Sequence, residues 1–178
     1  NNESMAQIVI FTSCAIGCVL LSTIAADFIA KPLIERWRPS SDPLIKYAVD
    51  VVDDYRPGKY GFFSAHAANT FSLALYLSLW VKNRLFSFAI ISWSLLNCYS
   101  RIYLGAHYPS DVVVGLLVGA IIAVLFYLLS RKLFFKISSN FNYVSTQYSA
   151  TGYSVTDIDM VLTVIGFLYI LVIIIPLL

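Results

Sequence analysis

The sequence predicts an all-α protein, a polytopic bundle of transmembrane helices. Three observations predict it. The 178 residues are 59% hydrophobic and 12% charged, whereas a water-soluble domain carries roughly 45–50% apolar and about 25% charged residues. Mean hydropathy is +0.77, and the apolar residues gather into runs that approach the ~20 residues a bilayer-crossing helix needs. Twelve tyrosines and twelve phenylalanines suit interfacial belts and lipid-facing packing.

Taken in order, the expected spans lie near 6–30, 64–81, 85–101, 110–130 and 158–178. The first has no basic segment ahead of it, which separates it from a secretory signal. The third is short and is expected to extend through polar ends. Between the first and second lies a polar loop, 31–63, punctuated by Pro39, Pro43, Pro57 and Gly58. Its middle, Leu44 to Val52, alternates apolar and acidic residues at helical spacing and predicts a short helix lying on the membrane surface. Residues 137–157, rich in Ser, Asn, Thr and Tyr, read as a polar linker. The expected organisation is therefore a membrane core over 1–136, the linker over 137–157 and a last helix over 158–178. The chain begins with Asn1 rather than methionine, and further N-terminal sequence is expected to precede it.

A net charge of +2 without a long basic run excludes nucleic acid as a partner. Cys14, Cys18 and Cys98 all fall within apolar runs. Their odd number and lack of framework spacing argue for packing rather than disulfides or a metal site.

The chemistry-bearing residues are concentrated in three segments. Ser100 to Asp111 reads SRIYLGAHYPSD. His107 and Asp111 are four apart, so on a helical turn the carboxylate can hold the imidazole by its Nδ1 proton. Arg101 offers a permanently charged fork for phosphate oxygens. This is the equipment of a histidine nucleophile acting on a phosphoryl group. Lys31 to Pro39 reads KPLIERWRP, and if that segment is helical, Lys31 and Arg38 face the same way. Gly61 to Thr70 reads GFFSAHAANT, with Ser64 and His66 on either side of Ala65 at the start of an apolar run. Blander roles exist for each residue. Basic side chains at helix ends snorkel to head groups, Asp111 suits a helix cap, and Arg56 and Lys59 suit solvated loop positions. Those roles predict no common spacing.

Together the three segments resemble the signature of the type 2 phosphatidic acid phosphatase family, membrane lipid phosphatases whose site is shared with vanadium haloperoxidases. The Lys–six–Arg-Pro and Ser-Arg–five–His–three–Asp elements match without a gap. In the middle element Phe63 stands where the family has proline and Ala65 where it has glycine. The resemblance covers residues from about Lys31 to about Ser130. It implies a two-step hydrolysis without metal or cofactor. His107 would attack phosphorus and form a phosphohistidine, Asp111 would fix its tautomer, and His66 would protonate the leaving oxygen and then activate water. Lys31, Arg38, Arg101, the Ser64 hydroxyl and the Ala65 backbone N–H would hold the phosphoryl oxygens. Alanine at 65 serves that purpose unless the position requires a positive φ.

The substrate implied is a membrane lipid phosphate or diphosphate: undecaprenyl diphosphate, phosphatidylglycerol phosphate, phosphatidic acid or lipid A. A lipid phosphotransferase or a non-catalytic lipid-binding protein would carry the same motifs. Oligomeric state is open. All three motifs fall at one membrane face. Lys82, Arg84, Arg131, Lys132 and Lys136 lie at the other, which the positive-inside rule assigns to the cytoplasm. The expected location is a bacterial inner membrane with the site facing the periplasm, although the site face carries seven basic residues of its own.

Overall fold

Apart from isolated bridges, every regular element among the described residues (5–52, 55–137 and 154–174 of a computed structural model) is helical. Helix α1 (Met5–Ile34) is continuous. A π-helical stretch, Ile24–Ala30, separates its α-helical body, Met5–Thr23, from a last turn, Lys31–Ile34. Pro32 has no N–H to donate within that helix, and the widened turn ahead of it accommodates its ring. The helix stops at Glu35, which is left-handed at φ 48°.

Helix α2 (Ala65–Val81) begins at Ser64, whose Oγ accepts from the Ala67 N–H at 3.4 Å. A two-residue turn at Lys82 and Asn83 reverses the chain into α3 (Arg84–Tyr103), where Asn83 caps by accepting from the Phe86 N–H at 3.0 Å. Helix α4 (Pro109–Ile137) starts at proline, which suits a first helical position because its missing N–H would have no partner there. Helix α5 (Val155–Ile174) rests on α3, with Tyr169 donating to the Ala89 carbonyl at 3.1 Å.

Helix α1 and Pro109–Lys136 of α4 are long and apolar enough to cross a membrane. Their outer faces expose large apolar side chains, among them Ile16, Leu20, Leu117, Ile121 and Leu125, as lipid-facing surfaces do. Inside, α2 packs against α1, α3 and α4. Cys14, Cys18, Tyr76, Trp80, Ile122 and Phe134 form the main core. Because lipid tails are as apolar as leucine, close packing and interhelical hydrogen bonds hold such helices together, each bond contributing about 0.6 kcal/mol. The bundle has Thr23–Asn69 at 2.9 Å, Thr70–Ser94 at 3.0 Å and Trp80–Ser130 at 3.1 Å. Gly115 and Gly119 of α4 pack against the backbone of α2, where an added Cβ would lie 2.7 Å from the Ser64 and Ala68 carbonyl oxygens respectively.

Two expectations are corrected. Leu44 to Val52 forms no surface helix; it is a series of turns. Asp42 Oδ1 accepts from the Leu44 N–H at 3.0 Å, the Ala48 N–H reaches only three residues back to the Ile45 carbonyl at 2.8 Å, and the Lys46 carbonyl is met by Arg56 at 3.5 Å, so short turns stand in place of a helix. The segment 36–38 is not helical either. Trp37 bridges Tyr60 in antiparallel fashion, with Arg38 N–H to Lys59 O at 3.0 Å and Gly61 N–H to Arg36 O at 2.9 Å. Most of the stretch read as a linker, 138–153, lies outside the described residues, and α4 and α5 run past its expected limits to Ile137 and Val155.

Candidate active site

One end of the bundle gathers the C-terminal turns of α1 and α3 and the N-terminal turns of α2 and α4. His107 lies in the link between α3 and α4, which turns at Gly105 with φ +62°. Its backbone N–H bonds to the Arg101 carbonyl at 3.3 Å, and its ring is 3% exposed. Arg38 Nη1 lies 3.2 Å from His107 Nε2. A guanidinium only donates, so Nε2 holds the lone pair and Nδ1 carries the proton. That proton faces Asp111, whose Oδ2 is 3.8 Å from Nδ1.

The approach between His107 and Asp111 is an ion-pair distance rather than a hydrogen bond, and Nδ1 is buried without a hydrogen-bond partner. The reason is visible at the start of α4. His107 precedes the helix instead of sharing its first turn with Asp111. The carboxylate also closes the helix end: Oδ2 accepts from the Tyr108 N–H at 3.1 Å, the return half of a capping box. Oδ1 is held by Arg36 at 2.8 Å. Burial pulls the His107 pKa below its ordinary value; Asp111 opposes this and the charges of Arg38 and Lys31 reinforce it.

Arg38 is fixed by bonds from Nε to the Tyr60 carbonyl at 3.0 Å and from Nη1 to the Ala106 carbonyl at 3.2 Å. Lys31 forms an ion pair with Asp27, one helical turn back. Arg101, half-buried, donates from Nε to Ser100 Oγ at 3.2 Å. Ser64 is fully buried and tied to α4 through its N–H, which bonds the Asp111 carbonyl at 3.1 Å. Its Oγ accepts from Ala67, which leaves the hydroxyl proton to donate. Ala65 opens α2 in helical conformation and is not among the positive-φ residues, so the position does not demand glycine. His66, the second residue of α2, is exposed, and Arg101, His107, Lys31 and Arg38 all lie near enough to act on it electrostatically.

The structure thus gathers all eight sequence-predicted site residues at one end of the bundle. Lys31 and Arg38 do not share a helical face, because the helix ends between them. Arg38 arrives on an extended segment instead. On that segment Arg36 and Arg38 point the same way and Trp37 points toward Tyr60, with ring centroids 5.7 Å apart. Arg36 was not singled out from the sequence. The signal was there: Arg38 precedes a proline, which biases it away from helix, and alternation then pairs it with Arg36. Gly61 was also missed. An added Cβ there would lie 2.9 Å from Arg38 Cγ and 3.4 Å from His107 Nδ1.

Lys31, Arg36, Arg38 and Arg101 outnumber Asp27 and Asp111, so the end of the bundle favours an anion. Among the described residues no three His, Cys, Asp or Glu side chains cluster as a metal site would require.

An integral membrane helical bundle with a buried histidine beside Arg38, and further cations at the same end, defines a class of anion-handling membrane protein. The chain belongs to the PAP2 superfamily, whose profile matches residues 12–135. It is 37% identical over 132 residues to the lipid A 4'-phosphatase of Bacteroides thetaiotaomicron, an alignment covering 71% of this chain and 59% of that protein. It is 41% identical over 111 residues to the lipid A 4'-phosphatase of Porphyromonas gingivalis, covering 60% of this chain and 47% of that one. Sphingosine-1-phosphate phosphatase 1 of Rattus norvegicus is 33% identical over 96 residues, covering 53% and 22%. The chain therefore spans roughly half the length of the two bacterial relatives. No solved structure matches it significantly.

Proposed function

We propose that this protein is a lipid phosphatase that removes phosphate from a lipid A-type substrate through a phosphohistidine. The observation that carries the reading is the His107 ring, with its Nε2 lone pair facing Arg38 and its Nδ1 side facing Asp111. The similarity to lipid A 4'-phosphatases supports the choice of substrate.

In the proposed first step the phosphate group draws Arg38 off Nε2 and onto a phosphoryl oxygen. Lys31 and Arg101, the Ser64 hydroxyl and the Ala65 N–H at the start of α2 take the remaining charge. Nε2 attacks phosphorus, forming the P–N bond as the P–O bond to the lipid breaks. His66 gives the departing oxygen its proton. In the second step His66 takes a proton from water, the hydroxide attacks phosphorus, and the P–N bond breaks to release inorganic phosphate. Phosphoryl transfer requires mostly positioning and charge compensation, which these side chains supply. The site opens at the bundle rim, where a lipid head group arrives from the bilayer. We place it on the periplasmic face of a bacterial inner membrane, since the short turn carrying Lys82 and Arg84 belongs on the cytoplasmic side.

The detergent-solubilised protein is expected to release inorganic phosphate from bisphosphorylated lipid A in EDTA. It should do so faster than from phosphatidic acid, phosphatidylglycerol phosphate or undecaprenyl diphosphate. Release from none of the four would overturn the phosphatase reading. A preference for another member of the panel would reassign the substrate.

The pH profile carries a sign. His107 reacts as the neutral ring, and burial lowers its pKa, so the neutral form persists below the ordinary value of about 6.5. The acid limb of kcat/KM is expected below that value. It should move to higher pH in Arg38→Ala, because a cation that disfavours the protonated ring is gone. An acid limb in Arg38→Ala unmoved or displaced to lower pH would contradict the assignment.

A further inference from the structure

We propose that Arg36 is a positioning residue, which acts on His107 by holding Asp111 and does not bind the substrate phosphate. This rests on the reading of His107 as the reacting base. Arg36 Nη1 lies 2.8 Å from Asp111 Oδ1 and 2.8 Å from Ser110 Oγ. Its guanidinium carbon stands 4.5 Å above the centre of the Tyr108 ring, and its own carbonyl accepts the Gly61 N–H at 2.9 Å. The side chain is thus held by the start of α4, and the backbone that carries it by Gly61. It makes no hydrogen bond to His107, while Arg38 from the same segment faces Nε2.

Asp111 is fully buried, and a buried carboxylate needs a compensating cation. With Oδ1 on Arg36 and Oδ2 on the Tyr108 N–H, the carboxylate cannot turn, and Oδ2 stays beside His107 Nδ1. The charge that His107 feels from Asp111 is therefore that of a carboxylate already paired. The charged and titratable groups that act on His107 are Lys31 from α1, His66 from α2, Asp111 from α4 and Arg38 from the loop, while Arg101 from α3 accepts its N–H through the backbone carbonyl and acts on His66. Removing Arg36 leaves all of these in place and frees only Asp111. The unpaired carboxylate then favours the protonated imidazole.

The chain has two histidines, so ¹⁵N NMR of the histidine-labelled full chain in micelles reads each titration directly, with His66→Asn to assign them. In Arg36→Gln the His107 midpoint is expected to rise by roughly one pH unit, and Arg36→Lys should restore most of it. Near neutral pH, kcat should fall between about tenfold and a hundredfold with KM little changed. In the Asp111→Asn background, adding Arg36→Gln should leave the His107 midpoint where it was, since the link between them is gone. A midpoint shift in that background overturns the proposal even should Arg36→Gln alone not fold. An equal midpoint shift with and without Asp111, no shift at all, or a raised KM with unchanged kcat would each overturn the proposal. The titration needs no turnover, so it remains readable even if the chain releases no phosphate.

Discussion

Replacing His107 with alanine is expected to lower phosphate release by about four orders of magnitude or more, because in the proposed mechanism it removes the atom that would bond to phosphorus. His66 cannot take over. It lies on α2, is exposed, and lacks the Arg38 and Asp111 contacts that orient the His107 ring. Replacing His66 with alanine should cost less, roughly 10²–10⁴-fold, and the loss should depend on the leaving group. With an aryl phosphate, whose phenolate departs without a proton, bond breaking survives while attack of water on the intermediate remains slow. Acid-labile, alkali-stable label from a radioactive substrate should then accumulate on His107 in His66→Ala and be absent from His107→Ala. A His107→Ala enzyme that keeps a tenth of the parent rate, or label on a different residue, would remove His107 from its assigned role.

What could be read from the sequence, and what could not, follows from the range of the forces involved. The apolar runs were legible because bilayer thickness imposes a length on them. The motif segments were legible because short spacings constrain geometry. Asp111 is the instructive case. Its reading as a partner of His107 and its duller reading as a helix cap describe the same carboxylate. One oxygen closes the start of α4 through the Tyr108 N–H while lying 3.8 Å from His107 Nδ1. A role in folding and a position beside the His107 ring are not alternatives here. The helix assumed to link Lys31 and Arg38 failed for a local reason, a stop at Glu35 in a left-handed conformation that a glutamate does not advertise. The surface helix expected over Leu44 to Val52 gives way to turns such as the one closed by the Ala48 N–H on the Ile45 carbonyl at 2.8 Å, and Arg56, from outside the segment, takes the Lys46 carbonyl. Arg36 depends on contacts 74 and 75 residues away. Only the extended bias ahead of Pro39 hinted at it.

Replacing Gly115 with valine is expected to damage fold and site together, and the reason is packing rather than chemistry. A Cβ at 115 would lie 2.7 Å from the Ser64 carbonyl oxygen and 3.1 Å from Ala67 Cβ. The first is a backbone atom, so the contact is relieved only by moving α2 away from α4. Ser64 is the residue that joins the two helices at the site, through its N–H on the Asp111 carbonyl, and Ala65 and His66 follow it directly. A shift of about 1 Å there separates the proposed phosphate donors and proton carrier from His107, and misplacement of that size costs about a hundredfold in rate. Overpacking of this kind destabilises by about 1–3 kcal/mol, read as a lower melting temperature in detergent. Gly119→Val supplies the contrast. Its Cβ would lie 2.7 Å from the Ala68 carbonyl oxygen, one turn farther from the site. It should therefore lower the melting temperature comparably while sparing more of kcat. Equal losses of activity in the two variants would mean that the close approach serves stability alone, and a Gly115→Val protein with parental kcat would show that Ser64 is not seated by it.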